Sequence, residues 1–308
     1  MMNTRRAGTA SYAGVLAITG LAPLVWGSTY AITTEFLPPD RPLFTALMRA
    51  LPAGLLLLAV TRKLPQAQWI WKAGVLGVLN IGAFFPLLFL AAYRLPGGVA
   101  AVLGAAAPLI SLGLASIALN DKLTTRKVLA GVIGLFGVAL VVLRASAALD
   151  TLGVIAGLLG ATSMASGTIM TKRWGRPEGV TPLAMTGWQL TAGGLLLLPL
   201  ALLVEGMPPA LDASAIGGYL YLGVIGTALA YALWFRGLAV ANATSVAFLG
   251  LLSPVSAAII GWAALGQSLA PLQVLGMGIA LGGTLLGQLA TAPRPAAQPT
   301  PEPVRTAA

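Results

Sequence analysis

Polar and aromatic side chains recur four residues apart inside stretches of this chain that are otherwise apolar. The pairs are Trp26 with Tyr30, Asn80 with Phe84, and Thr227 with Tyr231. Residues four apart lie on the same face of an α-helix, so each pair presents a hydrogen-bonding group beside a ring. Such groups bind a small molecule through hydrogen bonds and stacking, but they lack the titratable pairs that acid–base catalysis uses. The chemistry that they predict is recognition.

Three serines inside apolar segments extend this set. Taken singly, each serine is explained as well by a hydrogen bond to a carbonyl of its own helix. Polar groups that face lipid are costly, so we expect Asn80 and Tyr231 to face a shared central cavity reached by Trp26 and Ser163. The full predicted substrate-binding set is Trp26, Ser28, Tyr30, Asn80, Phe84, Ser163, Thr227, Tyr231 and Ser245.

Arg49 is the one charged residue that the sequence places well inside an apolar segment. An arginine at the centre of a membrane helix costs about 2.5–3.5 kcal/mol on insertion scales, so its side chain must face protein, water or headgroups. Two interpretations stay open. Arg49 pairs with a substrate carboxylate, or it caps a neighbouring helix or extends outward along its own helix.

The acidic residues lie outside the interiors of the apolar segments. The chain has 8 Asp and Glu, no His and no Cys, and we assign all eight acidic residues to loops, helix ends or the C-terminal tail. Ion-coupled carriers place a carboxylate at membrane depth, and a membrane hydrolase needs acidic, histidine or metal groups beside a water. The sequence therefore argues against an enzyme and predicts no metal, no cofactor and no proton coupling through a side chain.

Membrane helices must position these residues. Of the 308 residues 57% are hydrophobic and 8% charged, and the mean hydropathy is +0.89. A span needs about 20 apolar residues. The predicted spans are Tyr12–Thr33, Pro42–Val60, Trp69–Ala92, Gly97–Leu119, Arg126–Leu143, Leu149–Thr171, Pro182–Val204, Ser214–Phe235, Ala243–Leu265 and Pro271–Leu289.

The distribution of Lys and Arg orients these spans. With the N-terminus in the cytoplasm, fourteen of the 18 basic residues lie at cytoplasmic ends, three lie outside and Arg49 lies within a helix. The positive-inside rule then predicts that both termini are cytoplasmic. This pattern also accounts for the formal net charge of +10 without a nucleic-acid partner.

The chain also repeats itself. When the two halves are aligned so that Pro108 coincides with Pro254, other identical residues also coincide. These are Gly77 with Gly223, Phe89 with Phe235, and Gly137 with Gly283. Five spans per half is an odd number, so the second half enters the membrane upside down and the repeat is inverted. A proline in a helix frees a carbonyl, so Pro108 and Pro254 are candidate hinges or static kinks.

Other residues have structural interpretations. The glycines of the fifth and tenth helices let helices approach closely, and packing within a monomer is favoured over a dimer seam. Trp69, Trp71 and Trp174 are typical of anchors at the membrane interface.

The segment Trp26-Gly27-Ser28-Thr29 resembles the WGS signature of the ten-helix EamA-type branch of the drug/metabolite transporter superfamily. Arg49, Pro108 followed by Asn120-Asp121, and Pro254 followed by Gly266-Gln267 also fit that pattern. The resemblance covers about residues 14–290. Family members often have Glu after helices four and nine, where this chain has Asp121 and Gln267, which puts a carboxylate role there in doubt. Within the branch the chain is similar to bacterial exporters of aromatic amino acids and paraquat, and outward transport is implied by that resemblance.

These observations predict an all-α integral membrane protein with ten transmembrane helices as two inverted five-helix repeats. The domains expected are a cytoplasmic N-terminus (1–11), a first repeat (12–144), a second repeat (149–290) and a disordered cytoplasmic tail (291–308). The function expected is export of amino acids and related small amphiphilic metabolites across a bacterial inner membrane. Transport would proceed by alternating access through a central cavity, as uniport or exchange, and by a monomer in the bilayer. Three alternatives stay open: a broad-specificity drug exporter, a sugar-phosphate-like exchanger of the same fold, and a membrane scaffold or assembly protein.

Overall fold

The structure, a computed structural model, describes residues 6–95, 103–142, 150–207, 210–266 and 270–291. All regular elements in these ranges are helical. The expected tail after Thr291 and the site of Gln267 lie outside the described residues. Within the ranges, 8 stretches are long and apolar enough to cross a bilayer: Tyr12–Phe36, Pro42–Thr61, Ala67–Arg94, Thr151–Trp174, Pro182–Val204, Ala213–Val240, Ala243–Ala264 and Pro271–Thr291.

The two remaining spans complete the predicted ten. The described helix of the fourth span is Ala107–Ala118, and the fifth span is Thr125–Val142. The fold is therefore the predicted one, an all-α membrane protein of ten helices in two inverted repeats. The spans are numbered in chain order below.

Five spans are interrupted within their described length, which the apolar pattern does not predict. In the fourth, the chain turns at Ala105 and Ala106 before helix Ala107–Ala118. The first consists of helices Arg6–Trp26 and Thr29–Phe36, and the ninth of Ala243–Leu249 and Leu252–Leu265. The third consists of Ala67–Gly77, a π-helical segment Val78–Gly82 and Phe84–Arg94. The eighth consists of Ala213–Leu220, a π-helical segment Tyr221–Leu229 and Ala230–Val240. The interruptions in the third and eighth spans occupy matching places in the two repeats.

Helix packing has the reciprocity of an inverted repeat. The second span packs along the seventh and the fifth along the tenth, which pairs equivalent helices of the two halves. The third span packs on the sixth, and the eighth on the first, which is the same contact with the halves exchanged. This is the pattern that a two-fold axis between inverted halves produces.

Acidic residues outside the spans hold helix ends. Asp150 and Asp212 accept hydrogen bonds from backbone nitrogens three residues later, each at 2.7 Å, and so begin the sixth and eighth spans. The bond from the Gly153 nitrogen is the main reason that the pKa of Asp150 is lowered from its usual value. Glu205, at the end of the seventh span, caps the second span by accepting bonds from the nitrogens of Leu43 and Phe44 at 2.7 and 2.8 Å.

Glycines bring the fifth and tenth spans into backbone contact. A Cβ added at Gly283 would lie 2.6 Å from the Gly134 backbone, and one at Gly137 would overlap the backbone nitrogen of Ala280. A Cβ at Gly278 or Gly282 meets nothing within 4 Å. The contacts of Gly134, Gly137 and Gly283 join two spans of the same chain.

Trp69, predicted to be an interfacial anchor, packs inside the protein. It is buried and its ring centroid lies 6.4 Å from that of Trp188. The ammonium of Lys72 lies 4.7 Å from the Trp69 ring centroid. The neighbouring Trp71 is exposed and packs edge-on against Trp174 at 5.1 Å. Packing of the third span on the seventh explains the burial of Trp69.

We expect Gly137→Ala to destabilise the folded protein, because the added methyl group overlaps main-chain atoms of the tenth span that cannot rotate away. Overpacking of this kind costs about 1–3 kcal/mol. Thermal unfolding in detergent, followed by tryptophan fluorescence, measures the effect. Gly282→Ala is the matched control, because its methyl group enters open space; equal melting midpoints for the two variants would contradict the expectation.

Candidate functional site

Arg49 is buried in the second span, with 2% of its surface exposed. Its Nε donates to Thr227 Oγ1 at 2.8 Å, and its Nη2 donates to the Gly226 carbonyl at 3.0 Å. Its Nη1 donates to Thr29 Oγ1 at 3.5 Å. The guanidinium carbon also lies 4.7 Å from the Phe85 ring centroid. The eighth span and the aromatic side chains of the third thus hold this cation in place.

The guanidinium keeps free hydrogen-bonding capacity. It has five N–H donors, and the three bonds above leave two of them without a protein partner. In the part of the chain that the structure describes, the ion pairs are Arg94 with Asp150 and Lys127 with Asp121, so no carboxylate lies within 4 Å of Arg49. A buried cation without a counter-ion favours an anion beside it.

A cavity of about 150 Å³ lies beside Arg49, between the two repeats. Five rings line it: Trp26, Tyr30, Phe84, Tyr231 and Trp234. The Trp26 ring lies 5.0 Å from Tyr231 and 5.0 Å from Trp234, measured between centroids. The hydroxyl-bearing lining residues are Thr29, Ser111, Thr168 and Ser253, besides the two tyrosines. Arg49 is the charged residue among the described lining residues.

The cavity lining extends over several turns of the spans. Thr168, Tyr231 and Trp234 are among its buried members. Ala91 and Gly157 lie toward the end of the molecule where the third span ends at Arg94 and the sixth begins at Thr151. This end is the one that the Lys and Arg distribution assigns to the outside.

The Trp26-Gly27-Ser28 motif lies at the break in the first span. Trp26 lines the cavity, and Ser28 Oγ lies 2.8 Å from Tyr221 Oη. A Cβ on Gly27 would lie 2.6 Å from the Cβ of Ser256, so only glycine lets the first span touch the ninth there. The motif therefore joins two broken helices at the cavity wall.

The π-helical segments expose carbonyl oxygens that other spans use. The Gly226 carbonyl accepts bonds from both Trp26 Nε1 and Arg49 Nη2, each at 3.0 Å. In the third span, the Leu79 carbonyl accepts a bond from Ser163 Oγ at 2.7 Å. Single turns of π-helix occur frequently at functional sites. Here they supply acceptors in a bilayer-embedded region where an unpaired carbonyl would be costly.

Pro108 and Pro254 follow helix breaks and do not kink continuous helices. Pro108 lies in the first turn of helix 107–118, and Pro254 lies in the first turn of helix 252–265. The nitrogen of a first-turn residue has no partner within its helix, so proline is tolerated there. Pro254 lines the cavity and Pro108 does not. The hinge role of these prolines remains a prediction.

The structure brings together part of the predicted substrate-binding set. Four members line the cavity: Trp26, Tyr30, Phe84 and Tyr231. Thr227 lies behind them as the partner of Arg49 Nε. Ser28, Ser163 and Ser245 are outside the lining and bond within the protein. Ser245 lies at the start of the ninth span, where its hydroxyl contacts Thr291 at 2.6 Å.

Asn80 does not share the cavity with Tyr231, contrary to the expectation from its spacing. It is fully buried, and its Nδ2 donates to Gln189 Oε1 at 2.7 Å and to Thr171 Oγ1 at 3.3 Å. The physical reason is the π-helical segment 78–82, because its wider turn directs Asn80 toward the sixth and seventh spans while Phe84 faces the cavity.

Several lining residues were absent from the predicted set. Trp234, Thr29, Thr168 and Ser111 lie at the cavity wall. Trp234 is three residues after Tyr231 and so shares its helix face, a signal that was available in the sequence. No comparable spacing pointed to Thr168 or Ser111.

We expect Pro254→Ala to lower transport several-fold while detergent stability is kept or improved. Alanine restores a backbone donor beside the break at Gly250 and Leu251, where 3₁₀-type bonds now end the preceding helix, and so favours a continuous, stiffer ninth span. Flux in proteoliposomes and the melting midpoint measure the two effects. Pro199→Ala, at a helix-interior proline of the seventh span, is the control; wild-type flux in Pro254→Ala would make the break a packing feature.

Comparison with known proteins agrees with this architecture. The EamA-like transporter family matches residues 13–143 and again residues 151–287. Protein PecM of Dickeya dadantii (strain 3937) is 46% identical over 256 residues, which cover 83% of this chain and 86% of that protein. The uncharacterized inner membrane transporter YedA of Escherichia coli (strain K12) is 30% identical over 273 residues, covering 85% and 87%.

The fold also occurs in a solved structure. A crystal structure superimposes with a TM-score of 0.75 over 90% of this chain and 98% of that one, at 18% sequence identity. Two matching segments, ten spans, an inverted repeat and a cavity between the repeats therefore give one conclusion: this multi-span membrane protein belongs to the EamA-like transporter family of the drug/metabolite transporter superfamily.

Proposed function

We propose that the protein exports amino acids and related small amphiphilic metabolites by alternating access through the cavity beside Arg49. The observation that carries the proposal is the buried guanidinium at the cavity wall with two donors free and no carboxylate nearby. A carboxylate accepts two parallel N–H bonds from a guanidinium. The substrate's own carboxylate is the anion that completes this site.

The remainder of the cavity fits the apolar part of such a substrate. Five rings surround it, and an apolar cavity of about 150 Å³ is large enough to hold benzene. Hydroxyls of Thr168, Ser111 and Ser253 supply acceptors for an ammonium group. Together these features favour a zwitterion with an apolar or aromatic side chain.

The proposed direction and location are supported by the family and by the charge distribution. The basic residues favour cytoplasmic termini in a bacterial inner membrane, and YedA is described as an inner membrane transporter. Substrate is bound and released without covalent change, so the protein acts as a carrier and not as an enzyme.

Competing functions differ in what the cavity must supply. A sugar-phosphate-like exchanger needs several cations for a phosphate, whereas Arg49 is the charged residue among the described lining. A broad-specificity drug exporter would accept cations that lack a carboxylate, such as paraquat. A scaffold would give no flux. Counterflow in proteoliposomes with labelled amino acids, paraquat and a sugar phosphate distinguishes the four candidate functions: amino-acid export, drug export, sugar-phosphate exchange and a scaffold role.

We expect Arg49→Gln to reduce counterflow of L-phenylalanine about 10- to 100-fold, because a hydrogen bond to a charged group contributes about 1.5–3 kcal/mol. Arg49→Lys keeps the charge but not the forked donors, so an intermediate rate is expected. Ser116→Ala, on the fourth span but outside the cavity lining, is the control. L-Phenylalaninamide, which has no carboxylate, should compete poorly in wild type. Wild-type rates in Arg49→Gln, with folding verified by monodispersity, would contradict the proposal.

We also expect that a pH gradient alone does not drive concentrative uptake of a zwitterionic substrate. The acidic residues of the described part lie in loops or at helix ends. Those that form hydrogen bonds or ion pairs either cap a helix or pair with a basic residue. Arginine does not lose its proton in a useful pH range. Proteoliposomes with the membrane potential clamped should therefore bring substrate only to its equilibrium level. Sustained accumulation would redirect attention to Glu35 or Asp121.

A further inference from the structure

A second cavity, of about 140 Å³, lies at the end of the molecule where the sixth span ends and the seventh begins. It is enclosed by the ends of the sixth and eighth spans and the first half of the seventh. Gly175, Arg176 and Ala239 are exposed at its rim, whereas Gln189 and Phe235 are buried in its interior. The Lys and Arg distribution assigns this end to the cytoplasm.

Two cations line this cavity with donors to spare. Lys172 Nζ donates to the carbonyls of Leu238 and Ala241 at 3.0 and 2.8 Å, which uses two of its three donors. Arg176 Nη1 donates to the Val180 carbonyl at 3.1 Å, which uses one of five. In the described residues neither side chain has a carboxylate within 4 Å. The cavity therefore carries uncompensated positive charge.

The interior of the cavity contains an orphaned amide. Gln189 is 1% exposed and lines the cavity, and its Nε2 has no hydrogen-bond partner. Its Oε1 accepts a bond from Asn80 Nδ2 at 2.7 Å, and Asn80 Oδ1 is likewise without a partner. An unsatisfied buried donor costs about 1–3 kcal/mol. A ligand that accepts from Gln189 Nε2 removes that cost.

The two cavities lie in series along the same helices. On the sixth span, Thr168 lines the first cavity and Thr171 the second, less than one turn apart. On the eighth span, Trp234 lines the first and its neighbour Phe235 the second. The two linings therefore approach each other on these two spans.

We propose that the second cavity is a loading site that binds the substrate's carboxylate on the cytoplasmic side before the central cavity opens to it. Lys172 and Arg176 attract the anion, Gln189 Nε2 donates to it, and the Phe235 and Met185 side chains accommodate the apolar part. This inference rests on the proposed export of carboxylate-bearing substrates. A lipid phosphate shares the anionic chemistry, but a headgroup held at the rim would leave the Gln189 amide and the apolar interior unfilled.

The absence of cysteine from the chain makes a clean labelling experiment possible. Ala239→Cys places a thiol at the exposed rim, and its reaction rate with a small maleimide is measured in nanodiscs of phosphatidylcholine. We expect L-phenylalanine to slow the reaction several-fold and L-phenylalaninamide to have little effect. Adding Arg176→Gln or Gln189→Leu should weaken the protection. Leu64→Cys, 73% exposed in the loop between the second and third spans, is the unprotected control.

Arg49→Gln separates this proposal from the preceding one. In that background the central site is impaired, yet protection of the thiol at position 239 should persist, because the second cavity does not include Arg49. Protection that disappears with Arg49→Gln would mean that the thiol reports on the central cavity, and the loading site would be wrong. Protection by phosphatidylglycerol in the nanodisc, with none by L-phenylalanine, would assign the cavity to lipid and also overturn it.

One outcome would reject the loading site without contradicting the proposed export. If counterflow of L-phenylalanine depends on Arg49 but the thiol at position 239 is never protected, the loading site is rejected and the proposed function stands. If no amino acid gives counterflow in the cysteine-free protein, the proposed function itself fails.

Discussion

The carbonyl oxygen of Gly226 holds the candidate site together. It accepts hydrogen bonds from Trp26 of the first span and Arg49 of the second, each at 3.0 Å. That oxygen is available because the eighth span is π-helical from Tyr221 to Leu229, where the regular α-helical bonding is replaced. One irregular turn thus joins three spans, orients the aromatic wall and fixes a cation whose burial the bilayer would otherwise oppose.

The cost of unpaired polar groups in lipid explains the arrangement of the other charged residues. Carboxylates that would be expensive at membrane depth lie at the ends of spans, where Asp150, Asp212 and Glu205 cap helices. The helices are broken where another span hydrogen-bonds to the freed backbone groups or where the break borders a cavity. Free side-chain donors of Arg49, Lys172 and Gln189 line cavities, whereas several other buried donors without a partner do not. The donors beside a cavity are those that a polar ligand can reach.

The fold could be predicted from sequence because its determinants are local. Apolar runs give the spans, the odd number of spans per half gives the inverted repeat, and basic residues indicate an orientation. The site was predicted in part. Trp26 and Tyr30, four residues apart, both line the cavity as their spacing predicted. The chain resumes a regular helix at Thr29, directly after the break in the first span.

The same spacing of four residues wrongly placed Asn80 in one cavity with Phe84. The rule assumes an α-helix, whereas Val78–Gly82 is π-helical, and the wider turn separates the two side chains. No composition signal marked that segment. Pro108 and Pro254 did mark discontinuities, but spacing alone could not distinguish a kink from the start of a new helix. The missing information lies in contacts between spans, which a single sequence does not display.

The two repeats differ at a position that bears on both cavities. In the alignment of the halves, Asn80 of the third span falls on Gly226 of the eighth. Gly226 offers its main-chain carbonyl to the Arg49 guanidinium beside the central cavity, whereas the Asn80 side chain bonds to Gln189, which lines the second cavity. Equivalent positions thus use a backbone oxygen in one repeat and a side-chain amide in the other, so the inverted repeat does not make the two cavities chemically equivalent.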